Sequence, residues 1–145
     1  MSAKPLLRLQ LPARAESLKP LRDAVCAAMA RAGVVPELRD RLKLAIDEAA
    51  ANVIRHAYGN CGEGMLHIAV TTSRGTLRFA LRDHAPAVDP ARVKPRDLSE
   101  CRPGGLGINF IDETMDHWRL RPLRRGGNLL VMRKRIRARD ERKGR

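Results

Sequence analysis

The sequence predicts an α+β fold: a two-layer sandwich in which a mostly antiparallel five-stranded sheet is covered on one face by three helices. Three observations carry this. Apolar residues recur at every second position in five short runs and at every third or fourth position in three others, the periods of half-buried strands and amphipathic helices. The runs follow the order strand, helix, helix, strand, strand, long loop, helix, strand, strand, which separates the elements as α+β folds do. Short glycine-bearing turns join the second strand to the third and the fourth to the fifth, the mark of antiparallel hairpins.

The first strand spans 4–11, with Leu7, Leu9 and Leu11 on one side and Arg8 and Gln10 on the other, and Pro12 ends it. A helix over 16–32 follows, carrying Leu18, Leu21, Val25, Ala28, Met29 and Ala32 at helical spacing with Gly33 as its stop. Pro36 opens the next helix. Its body, 42–58, is LKLAIDEAAANVIRHAY, and Gly59 and Asn60 signal its end. Strands over 65–73 and 76–82 place Leu66, Ile68 and Val70, then Leu77, Phe79 and Leu81, inward about a reversal at Gly75. The stretch 83–103 is rich in proline and charge and has no sustained period, so it reads as a long loop of the kind used as lids or binding loops. Helical spacing resumes over 105–115 through Leu106, Phe110, Ile111 and Met115, and runs over 117–123 and 128–136 close the chain as a hairpin about Gly126 and Gly127.

A chain of 145 residues and 16.2 kDa is one domain by size. No run of eighteen apolar residues and no cleavable leader is visible, so the expected location is the cytoplasm. Cys26, Cys61 and Cys101 are an odd set without C-x-x-C spacing, which argues against both a disulfide framework and a zinc site. The net charge of +13 implies an acidic ligand or partner, and much of it crowds the C-terminus. Nucleic-acid binding through that tail is disfavoured because aromatic residues for stacking are scarce. The basic segment 136–145 is expected to be a solvated appendage to a domain spanning 1–135.

On the helix over 42–58, Leu44, Glu48, Asn52 and Arg55 fall at steps of three or four, so Glu48 and Asn52 share a face among alanines that leave room for a ligand. A carboxylate beside a carboxamide can act as a general base plus an oxygen ligand for a hard cation. The same pair can equally be a solvated helix edge. Gly104, Gly105 and Gly107 open the third helix, where unpaired N–H groups favour an anion, although such a cluster also serves as a plain flexible loop end. Asp83 ends a strand, either to accept a hydrogen bond from a ligand amino group or to cap the turn.

Taken in order, the Glu48/Asn52 helix, the turn Asp83-His84-Ala85-Pro86 and the run Arg102-Pro103-Gly104-Gly105-Leu106-Gly107 resemble the nucleotide site of the ATPase superfamily shared by gyrase, bacterial histidine kinases and mismatch-repair proteins. The phrase GGLGINFIDETMD is particularly similar to that of its small branch, the anti-sigma-factor serine/threonine kinases of bacterial partner-switching systems. The resemblance spans nearly the whole chain and implies the Bergerat-type ATP-binding fold, with ATP and Mg2+ as cofactors. Under it, Glu48 is the catalytic base and Asn52 the magnesium ligand. Asp83 reads adenine, Arg102, Gly104, Gly105, Leu106 and Gly107 bind phosphates, and 87–103 is the ATP lid. Ala85 and Ala87 depart from the pattern, since many relatives carry glycine there.

The activity implied is phosphorylation of a serine or threonine on a small antagonist protein, alternating with sequestration of a sigma factor or an equivalent regulator. A homodimer is compatible with the resemblance, and no membrane is involved. The competing reading is a module of the same fold that binds nucleotide or sequesters a partner without turnover.

Overall fold

The computed structural model describes residues 3–57, 64–86 and 106–136. Strand β1 (Lys4–Pro12) leads through a short 3-10 turn, Ala15–Ser17, into helix α1 (Leu18–Arg31), and helix α2 (Pro36–Asn52) follows. Strands β2 (Met65–Ser73) and β3 (Thr76–Asp83) precede helix α3 (Leu106–Thr114), and strands β4 (His117–Pro122) and β5 (Asn128–Arg135) end the described chain. The predicted elements are thus all present. The first predicted helix begins as a 3-10 turn, and Pro12 is the last residue of β1 rather than the residue that stops it.

The five strands form one sheet in the order β1-β2-β3-β5-β4, and every neighbouring pair is antiparallel. The closing hairpin therefore enters with β5 against β3, leaving β4 at the edge. Ser73 pairs with Thr76 across a two-residue turn in which Arg74 (φ 51°) and Gly75 (φ 78°) are both left-handed. That geometry matches the natural twist of a hairpin.

Alternation in the strands places Leu66, Ile68, Val70, Leu77, Phe79, Leu81, Leu130 and Met132 on one face, all buried, and the three helices cover that face. Leu21, Val25 and Met29 from α1, Leu42, Ile46 and Ala49 from α2, and Ile111 from α3 complete a single core. Helix α1 stops where Gly33 adopts φ 79°. Its N–H donates to Ala30 O at 3.0 Å and that of Val34 to Met29 O at 3.1 Å, a paired closure that satisfies carbonyls otherwise left bare at a helix end. Arg22 of α1 pairs with Asp47 of α2 at 2.8 Å beside this core.

Phe79 is fully buried at the centre of the sheet. Phe79→Ala is expected to cost about 3–5 kcal/mol of stability, measured as a lowered midpoint in urea unfolding, because the vacated volume cannot be refilled from β2 and β5.

Candidate functional site

The sequence of α2 brings Leu44, Glu48 and Asn52 to one side of the helix away from the core residues Ala45, Ile46, Ala49 and Ala50. Leu44 is exposed, whereas Glu48 and Asn52 are half-buried. Glu48 has no hydrogen-bond or ion-pair partner among the described residues. The predicted single helix over 42–58 is not uniform. At Val53 the α-helix gives way to a π-helical turn, Val53–Ala57, so that Asn52 is the last α-helical residue. Such widened turns frequently sit at functional sites, since they free backbone groups and re-aim side chains.

Asn52 Oδ1 accepts a hydrogen bond from Arg55 Nη2 at 3.1 Å, while its Nδ2 is buried and has no partner among the described residues. A buried amide N–H without an acceptor costs on the order of 1–3 kcal/mol. A lone carboxamide oxygen also fits Mg2+, which keeps several waters and takes only one or two protein ligands beside substrate phosphates. Among the described residues no group of three or more His, Cys, Asp or Glu side chains is gathered for a metal.

Asp83 is buried at the end of β3. Its Oδ1 accepts from the N–H of Ala85 at 2.9 Å and from Asn128 Nδ2 at 3.0 Å, and Asn128 Nδ2 also lies 3.1 Å from the carbonyl of Pro86. The turn-capping reading of Asp83 is therefore correct, and it occupies one oxygen. Oδ2 is left with no hydrogen bond among the described residues. Ala85 is itself buried, and its backbone is not in the left-handed region, so alanine meets no conformational barrier there.

Two further residues of this corner are not apparent in the sequence. Asn128 stands opposite Asp83 in the β3–β5 register, so its role becomes visible only once those strands are known to be neighbours. Gly127 has φ 90°, and a Cβ there would overlap the carbonyl oxygen of Asp83. Its only signal was a glycine pair before the last strand. His84 Nε2 lies 2.9 Å from His67 Nε2 with the rings edge to face. Burial first, then the neighbouring His84 and Arg82, hold the His67 pKa below its usual value. Of the predicted phosphate-binding residues, Leu106 opens α3 and Gly107 lies in its first turn. Arg102, Gly104, Gly105, Ala87 and the lid over 87–103 lie outside the described residues.

The family model described as the histidine kinase-like ATPase domain matches residues 11–134, nearly the whole fold from the end of β1 to β5. The chain belongs to that family. Histidine kinase-like ATPase domains with related sequences include the serine-protein kinase RsbW of Staphylococcus aureus, 27% identical over 124 residues that cover 79% of this chain and 78% of the relative. Solved structures show the same fold. The RsbU and RsbW domains of a Mycobacterium tuberculosis protein superpose with a TM-score of 0.65 at 15% identity, covering 90% of this chain and 31% of that one. The SiaB-SiaC complex of Pseudomonas aeruginosa gives a TM-score of 0.63 at 17% identity over 92% of this chain and 90% of the other. As a histidine kinase-like ATPase domain the chain has the α+β sandwich read from its sequence, with an antiparallel sheet and three helices. No helix among the described residues is long and apolar enough to cross a membrane.

Two outcomes follow. Gly127→Ala is expected to destabilise the protein by roughly 1–3 kcal/mol, read as a lower Tm, because it demands both a left-handed alanine and displacement of the Asp83 turn. Since the folded state binds the His67 proton less tightly than the unfolded state, stability falls as pH drops below the usual histidine value near 6.5. His67→Gln flattens that part of a Tm-against-pH profile.

Proposed function

We propose that this chain is an ATP-dependent protein serine/threonine kinase that phosphorylates a small antagonist protein and otherwise sequesters a regulator such as a sigma factor. The observation that carries this reading is the pairing of Glu48 with Asn52 on one face of α2, the latter, just before a π-helical turn, with a buried amide nitrogen that has no partner among the described residues. Membership of the ATPase family and sequence similarity to a protein named as a serine-protein kinase support it.

In this reading Asp83 holds the adenine. Its Oδ1 is fixed by Ala85 and Asn128, so the rest of the carboxylate has one orientation in which to accept a hydrogen bond from the exocyclic amino group. The phosphates lie at the N-terminus of α3, toward Leu106 and Gly107 and the preceding Arg102, Gly104 and Gly105. Asn52 would hold Mg2+ through Oδ1, exchanging its bond with Arg55 for the ion. When bound, that ion neutralises charge on the phosphates.

Glu48 takes the proton from the acceptor hydroxyl as the hydroxyl oxygen attacks the γ-phosphorus. The bond from that phosphorus to the bridging oxygen breaks, and ADP leaves. Phosphoryl transfer asks little covalent chemistry of the protein, so a base, an oriented donor and neutralised charge suffice. In this reading Leu44, an exposed apolar residue one turn before Glu48, is offered to the acceptor protein.

With Mg2+ and ATP at a hundredfold excess over Kd, the Tm is expected to rise by on the order of 10 °C. Asn52→Ala loses the magnesium-dependent part of that rise. Glu48→Ala keeps the rise but slows transfer of labelled phosphate to the antagonist protein by about 10²–10⁴-fold. Full protection and tight partner binding without transfer by the unmodified chain would instead identify the non-catalytic sequestering module.

A further inference from the structure

Among the described residues the second face of the sheet carries no helix, and its composition is one-sided. Opposite the buried positions, β3 presents Arg78 and Arg82, β5 presents Arg133 and Arg135, and the edge strand β4 presents Arg119 and Arg121. No Asp or Glu occupies an outward position on these three strands. Arg78 and Arg133 are directly opposed in the register, and Arg82 and Arg121 flank Leu129 from either side.

None of the six guanidinium groups has an ion-pair partner among the described residues. Asp116, just before β4, is already engaged by the N–H of Arg135 at 2.7 Å and by Lys134 at 3.4 Å. Like charges directly opposite on a sheet destabilise it. A shallow concavity of about 480 Å³ opens on this face, bounded by four of the arginines with His117, Trp118 and Val131. Ala80, Val131 and Leu129 run between the charges as a half-buried apolar strip.

We propose that this face docks an acidic protein surface, with carboxylates taken by the guanidinium forks and an apolar side chain seated on the Val131–Leu129 strip. Arginine rather than lysine suits bidentate capture of carboxylates, and an apolar centre inside a polar rim is the anatomy of a protein interface. A nucleic acid fits less well. Its bases need free aromatic surfaces for stacking, and Trp118, although it borders the concavity, has its indole held by an N–H bond to Asp112 of α3 at 2.8 Å. A second copy fits less well, since an isologous contact through this face would bring two arginine-rich surfaces together. The face lies across the sheet from Asp83 and Glu48, so the inference does not rest on the nucleotide reading.

The test uses the full chain and a fluorescein-labelled peptide of repeating Glu-Leu-Glu, read by anisotropy beside a duplex DNA and phosphatidylserine vesicles. The peptide is expected to bind best, and Arg78→Glu and Arg133→Glu are each expected to weaken it about tenfold or more while leaving the Tm rise with Mg2+ and ATP unchanged. Arg133→Glu should also raise the Tm of the free chain, because attraction to Arg78 replaces repulsion. Absence of peptide binding, peptide affinity unchanged in Arg133→Glu, or tighter binding of DNA or vesicles that the same variant abolishes would each overturn the proposal.

Discussion

The corner where Asp83 meets Asn128 is the constraint on which the candidate site depends. A buried carboxylate at a strand end is costly unless its oxygens are occupied. Here one oxygen receives two donors, one from its own turn and one from a strand 45 residues further along the chain. The same amide of Asn128 reaches the carbonyl of Pro86, so the exit of β3 is clamped to the entry of β5. Gly127, with no side chain, lets the two backbones approach. The orientation of Asp83 is thus a product of sheet topology.

Against this fixed corner stands a helix whose site end is irregular. Helix α2 packs its alanines and Ile46 on the sheet and turns Glu48 and Asn52 away from it. The π-helical turn begins at the residue after Asn52 and brings Arg55 within reach of the Asn52 oxygen. Side chains held by such a turn can exchange partners without disturbing the core, because the helix body is anchored independently through Leu42, Ile46 and Ala50. A rigid strand-end carboxylate and an adjustable helix-end amide thus stand on the two layers of the sandwich.

Much of this was legible in the residues themselves. Alternation in 65–73 and 76–82 gave both strands and their inward faces, and the helical spacing of Leu21, Val25 and Met29 gave the core side of α1. Glu48 and Asn52 could be placed on one face from spacing alone. The order β3-β5-β4 could not be read, because a hairpin can join a sheet by either strand and the choice is made by long-range packing. Asn128 was hidden for that reason, since its partner is defined by register across strands distant in sequence. The π-helical turn was hidden too, because the apolar pattern of VIRHA is compatible with a continued α-helix. The seven-residue span from 117 to 123 and the run ending at 136 revealed two strands but not that their outward arginines would share a face.

An open five-stranded sheet has two borders with unsatisfied backbone groups, and such borders invite strand-by-strand polymerisation. Here each is blunted by its own sequence. In β1 the ladder slips between Pro5 and Leu7, Pro12 removes a donor at the far end, and Arg31 covers the Leu6 carbonyl at 2.7 Å. In β4 only six residues are extended, and the last is Pro122. A chain built this way can be concentrated in a crowded cell without its sheet being lengthened by its neighbours.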